Sequence, residues 1–165
     1  MKRLWLLRHA KSSWDEPGLA DHERPLAPRG RKAAKRIRAW AAEHDVRPEL
    51  VLCSTAVRAR ATLDLVADGL GDPAIQLEAG LYHAWEADIL ARVQAVPADV
   101  GELLLVGHNP GFECLVALLA PPGVEAFPTG ALAELRLSIP AWSAARPGCA
   151  ELVRLVLPRE LPAGG

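Results

Sequence analysis

The segment LLLVGHNPG (residues 103–111) decides how the rest of the chain reads. Its short apolar run ends at Gly107, and His108, Asn109, Pro110 and Gly111 follow at once. A continuous apolar run of this length, closed by turn residues, reads as a strand buried on both faces. FECLVALLA (112–120) then reads as a helix. The same arrangement occurs twice upstream. LWLL (4–7) runs into Arg8 and His9, and ELVLC (49–53) runs into Ser54 and Thr55, with Arg58 one turn into the next helix.

Between these strands the period changes. GRKAAKRIRAWAAEH (30–44) has helical spacing, with Ala33, Ile37, Trp40 and Ala41 on one face and Arg31, Lys32, Lys35, Arg36 and Arg38 on the other. AVRARATLDLVADGL (56–70) is a second predicted helix, closed by Gly69 or Gly71, and Ile75 to Leu77 is a short predicted strand. A loop and a further helix are expected in residues 80–96, and late strands at 131–139 and 150–157. Residues 12–28, with Pro17, Gly18, Pro25 and Pro28, form a long loop, which in a compact domain usually has a function. Strands alternating with helices predict an α/β fold: a three-layer α/β/α sandwich with a mostly parallel central sheet. One domain is expected over 1–158, with a frayed tail over 159–165.

Composition narrows the class. Half of the 165 residues are apolar, and the formal net charge is -1. No global field draws the chain to nucleic acid or membrane, so neither is an expected partner. The N-terminal apolar run is too short for a signal peptide and is interrupted by Arg8, His9 and Lys11. Cys53, Cys114 and Cys149 are odd in number and scattered, as suits reduced thiols in the cytoplasm. Cys53 reads as a buried strand thiol.

In an open parallel sheet, ligands bind beyond the carboxyl ends of the strands. Three such ends would bring together Arg8, His9, Ser54, Arg58 and His108. Arginine forks match phosphate oxygens, a helix start near Ser54 offers free N–H groups, and histidine can be nucleophile, acid, base or donor. No carboxylate belongs to the set, so no metal and no other cofactor is expected. The matching chemistry is phosphoryl transfer to a neutral imidazole, followed by hydrolysis of the phosphohistidine.

Four segments, in order, resemble the signatures of the histidine phosphatase superfamily, also called phosphoglycerate mutase-like. They are LLRHAKS (6–12), RPLAPRGRKAA (24–34), STAVRARAT (54–62) and LLLVGHNPG (103–111). In the second, Leu26, Gly30 and Ala34 match, while Ala27 and Ala33 replace the usual Thr and Gln. The resemblance implies that His9 is the phosphorylated nucleophile, that Arg8 and Arg58 bind phosphoryl oxygens, and that His108 is the second pocket histidine. The resemblance makes Ser54 and Thr62 supportive, and Ser54, Asn109 and Thr129 join Arg8 and Arg58 as expected substrate-binding groups. Arg-His-Ala, the short loop leading to Asp21-x-x-Arg24-Pro25-Leu26, the compact length and the segment 128–131 are similar to SixA-type phosphohistidine phosphatases. The substrate so implied is a phosphohistidine-bearing protein. The alternatives are a small phosphate ester or, without catalysis, a phosphate-binding module.

The superfamily commonly has a general acid after the unit that carries the second arginine. Here EAGLYHAWEADIL (78–90) offers Glu78, Glu86 and Asp88, and the first loop offers Asp15, Asp21 and Glu23; Glu86, Asp88 and Asp21 lead. The imidazole leaving group of a phosphohistidine, with a pKa of about 6.5, tolerates a missing acid better than an alkoxide does. His83 reads as a surface or structural residue that could line the pocket mouth. His22 and His44 read as loop and helix-end residues. Trp14 and Trp85 fall in loops near that mouth, where packing is an indole's ordinary fate and exposure would offer a grip on a protein. The basic stripe 31–38 reads as a solvated face without the interleaved aromatics of a nucleic-acid surface.

Overall fold

The computed structural model describes residues 1–163. Six strands form one sheet: β1 (Lys2–Arg8), β2 (Leu50–Cys53), β3 (Ala74–Leu77), β4 (Glu102–Gly107), β5 (Leu132–Leu137) and β6 (Ala150–Val156). Their spatial order is β3-β2-β4-β1-β5-β6. The first four run parallel, and β5 and β6 add an antiparallel edge. Four helices cover the sheet: α1 (Pro28–Glu43), α2 (Val57–Val66), α3 (Glu86–Gln94) and α4 (Gly111–Leu119). Among the described residues, no helix is long and apolar enough to cross a membrane.

The period-2 geometry of a strand sorts its apolar runs between two cores. Leu4, Leu6, Leu50, Leu52, Leu103 and Leu105 face α3 and α4. Trp5, Leu7, Val51, Cys53, Leu104 and Val106 face α1 and α2. Continuous apolar runs are required because both faces are covered. β3 is the exception: it is an edge strand with every residue exposed. The buried stripe of α1 is Gly30, Ala34, Ile37 and Ala41, one position away from part of the stripe expected from spacing. Trp40 is half-buried, edge-on to Trp5, and Ala33 faces a surface cleft instead of the core.

The long loop after β1 is closed on itself. Ser12 and Leu26 form an isolated antiparallel bridge, the Ser13 N–H donates to the Pro25 carbonyl at 2.8 Å, and the Ala27 N–H donates to the Lys11 carbonyl at 2.9 Å. Gly30 seats α1 against this loop, because a Cβ there would collide with the Lys11 carbonyl oxygen. The C-terminal segment departs from the expected fraying at residue 159. Pro158–Glu160 forms a helical turn, and Leu161 packs against the α1/α2 core; Gly164 and Gly165, the end of the expected tail, lie outside the described residues.

Candidate active site

The central strands β2, β4 and β1 are neighbours, so their carboxyl ends lie side by side. Register aligns them: Arg8 pairs with Gly107, and Cys53 pairs with Val106. His9 and His108 therefore follow their strands at one level of the sheet, with Ser54 one residue behind them. The His9 N–H donates to the Gly107 carbonyl at 3.0 Å, and the Ser54 N–H donates to the Val106 carbonyl at 2.9 Å. Gly130, at φ +76°, closes the fourth side, its N–H donating to the carbonyls of Arg8 and His9 at 3.1 and 3.0 Å. That left-handed backbone suits glycine.

These ends open into a cavity of about 340 Å³ that exposes Arg8, His9, Arg58, His108, Asn109 and Thr129. The two imidazole centroids are 5.2 Å apart. His9 Nδ1 lies 2.8 Å from the Ala10 carbonyl oxygen, so Nδ1 carries the proton and donates. Nε2 then keeps its lone pair. Thr62 secures this arrangement: its hydroxyl accepts from the Ala10 N–H at 3.0 Å and donates to the Arg58 carbonyl at 2.7 Å. Burial, joined by the charges of Arg58, Arg8 and Arg24, pushes His9 down to about 4. Burial, with His9 and Arg58 nearby, pushes His108 down to about 3. Both rings are neutral at pH 7.

Arg8 donates through one terminal nitrogen to the Phe127 carbonyl at 2.9 Å, while its buried Nε has no protein partner. An unpartnered buried donor is costly in the empty site and favours an incoming oxyanion. Arg58 reaches the cavity from the first turn of α2. Its two terminal nitrogens donate to Asp21, at 2.7 Å to the carbonyl and 3.0 Å to the carboxylate.

A family model described as histidine phosphatase superfamily (branch 1) matches residues 4–85. The uncharacterized protein Rv1276c of Mycobacterium tuberculosis is 39% identical over 163 residues, covering 93% of this chain and all of the relative. A structure assigned as phosphohistidine phosphatase SixA from Nakamurella multipartitia is 30% identical, with TM-score 0.83, covering 94% of this chain and 95% of that one. The chain belongs to the histidine phosphatase superfamily, as a SixA-type member. The protein histidine phosphatase SixA complexed with tungstate is also similar: 25% identity, TM-score 0.82, covering 95% of this chain and 97% of that one.

Within this SixA-type site, several expected residues take different places. Ser54 is fully buried and does not face the cavity; its hydroxyl accepts from the Ala56 N–H at 3.3 Å and lies 2.7 Å from His108 Nε2. It orients His108 and is not placed to touch substrate. With Ser54 donating to Nε2, the His108 proton sits on Nδ1. Asn109 lines the cavity, but its amide is engaged structurally: Nδ2 donates to the Phe127 carbonyl at 3.0 Å and Oδ1 accepts from the Glu113 N–H at 3.2 Å.

The general-acid expectation is corrected. Glu86 and Asp88 do not line the cavity, because α3 turns Ile89 and Val93 into the core and leaves Asp88 exposed. Their segment presents His83 instead, at φ +58°. Asp21 does line the cavity. Its carboxyl is held well below the usual range by the Tyr82 hydroxyl, which donates at 2.6 Å, and by Arg58 and Arg24, each at 3.0 Å. Asp21 is therefore an ionised clamp on two arginines and no proton donor at neutral pH.

Lys11, Ser12, Arg24 and Tyr82 belong to the site or its first support, although no role was expected for them. The Asp21-x-x-Arg24 spacing was the available signal, since it is a local ion pair. Trp14 is 71% exposed at the cavity rim, with the Arg24 guanidinium 3.2 Å from its ring centroid. Trp85 is 57% exposed and lies outside the cavity lining. Both indoles depart from the packed fate expected of them.

The neutral imidazoles make stability pH-dependent. His9 and His108 have folded values near 4 and 3, against an ordinary value of 6.5. Below that value the unfolded chain binds more protons, so their contribution is full above about pH 6.5 and falls as pH drops toward the folded values. Each imidazole should cost about 1.4 kcal/mol per pH unit in that window. Urea unfolding near pH 7 and near pH 5 measures this, and His9→Asn should remove roughly half of that pair's slope.

Proposed function

We propose that the protein is a metal-independent phosphatase that works through phospho-His9 and removes the phosphoryl group from phosphohistidine in a protein. The observation that carries this reading is the setting of His9: a buried ring with Nδ1 2.8 Å from the Ala10 carbonyl, beside Arg8, Arg58 and His108 in one cavity, which leaves Nε2 free to attack. Nε2 attacks phosphorus as the substrate N–P bond breaks. The arginines offset charge on the equatorial oxygens. Water then attacks the phosphoenzyme, releasing phosphate and restoring neutral His9. Arg8 and Arg58 bind the phosphoryl oxygens, with His108 and Thr129 as further donors. Among the described residues Asp21 is the lone lining carboxylate, and its ion pairs with Arg24 and Arg58 leave it unavailable to a metal.

The leaving group supports the substrate class. Among the described residues Asp21 is the lone lining carboxylate and it is held ionised, so no carboxylic acid stands ready for an alkoxide. A phosphohistidine ring protonated on its other nitrogen departs as neutral imidazole and needs no enzyme acid. An exposed Trp14, braced by Arg24, gives a protein surface an apolar contact at the rim. The names of the SixA-type relatives agree with this substrate, and the three unpaired thiols agree with a reducing, cytoplasmic setting.

The test is phosphate release with chelator present. A histidine-phosphorylated protein and a panel of small phosphate esters would be compared at equal concentration. The expected result is a kcat/KM at least about 10²-fold higher on the phosphohistidine protein, since imidazole leaves without acid assistance. Equal or better turnover of an ester would transfer the assignment to small phosphorylated metabolites.

A further inference from the structure

Beside the catalytic cavity lies a second cleft of about 350 Å³, sharing Lys11 and Thr129 with it. Its rim carries Lys11, Arg29, Lys32, Arg36 and Arg159, and its floor is Ala33, Pro128, Leu157 and Pro158. Among the described residues none of those five cations pairs with a side-chain carboxylate. By contrast, Arg3, Arg24, Arg47, Arg58, Arg92, Arg136 and Arg154 all have acidic partners. The net charge of -1 makes this a local feature. Unneutralised like charges around one cleft repel one another until an anion enters.

We propose that this cleft binds an acidic segment flanking the phosphohistidine of the protein substrate. The inference rests on the phosphohistidine-protein reading and adds a docking element to it. Arg29, Lys32, Ala33 and Arg36 share one face of α1. From Arg29 to Arg36 the helix rises about 10 Å, the span of roughly three extended residues. Cations in such a row match successive carboxylates along a peptide, whereas a small polyphosphate is held by donors converging on one point. The apolar floor accepts an aliphatic side chain between the acids. Lys11 belongs to both cavities, so an occupant would run on toward His9.

The experiment uses a fluorescein-labelled peptide alternating glutamate and leucine, its glutamine counterpart, and inorganic tripolyphosphate as competitor. Lys32→Glu with Arg36→Glu alters the cleft. Arg31→Glu with Lys35→Glu makes the same charge change at exposed positions outside it. By anisotropy at low salt, the full-length wild type and the control variant should bind the glutamate peptide about tenfold or more tighter than the glutamine one, and the cleft variant should lose that preference. On a histidine-phosphorylated peptide with an acidic flank, the cleft variant should raise KM about tenfold and leave kcat unchanged. Equal weakening in both variants, no glutamate preference, or tighter binding of tripolyphosphate than of peptide through the same residues would each overturn the proposal. Acidic-peptide binding in the cleft without phosphate release from any phosphohistidine substrate would support the docking site while refuting the catalytic reading.

Discussion

His9→Ala should lower phosphate release by about 10⁴-fold or more, because losing a covalent nucleophile removes the pathway itself. The wild type, quenched in acid-free denaturant during turnover, should carry one acid-labile phosphoryl group, and the variant none. Thr62 fixes the Ala10 N–H, and the Ala10 carbonyl fixes the His9 proton on Nδ1, which leaves Nε2 basic. Burial keeps the ring neutral down to about pH 4, so the nucleophile is ready across the physiological range. A variant that released phosphate at more than a hundredth of the wild-type rate would sink the covalent route. If the wild type binds phosphohistidine protein without turnover, and His9→Ala binds it equally well, the fold serves as a phosphate reader and no phosphatase.

Arg58→Ala is expected to reduce kcat/KM by about 10²- to 10³-fold, the usual cost of losing a preorganised donor to developing charge. Arg58→Lys should recover little of it. Arg58 holds Asp21 with two N–H groups at 2.7 and 3.0 Å, which leaves three of its five for a phosphoryl group. A lysine has a single nitrogen centre and cannot face both ways in a planar fork. Asp21 in turn ties together Arg24 and Tyr82, so the substitution also loosens the loop over the cavity. Thermal unfolding of the two variants separates that loosening from the lost phosphate contact. Near-wild-type kcat/KM in Arg58→Lys would show that charge alone is needed, with no role for the fork.

Much of this molecule was legible in the chain because the relevant information is local. Apolar runs at 4–7, 50–53 and 103–106 specify strands covered on both faces, since a strand exposes alternate residues to opposite sides. A residue placed directly after such a strand has nowhere to lie but the carboxyl edge of the sheet, so Arg8, His9 and His108 could be assigned to one site. Arg58 followed for the same reason, from the first turn of the next helix.

Only the tertiary structure decided the rest. Which carboxylate meets the cavity depends on how α3 is rotated on the core and where a closed loop comes to lie, and neither is encoded in spacing. With Ile89 and Val93 in the core, neither Glu86 nor Asp88 lines the cavity, while Tyr82 and Arg58, distant in sequence, join the nearby Arg24 in holding Asp21 there ionised. Of the two roles open to Ser54 after β2, substrate contact and support, packing left only support of His108, because a fully buried hydroxyl must find a partner within the protein. A local pattern determines what a residue can do, and long-range packing determines what it faces.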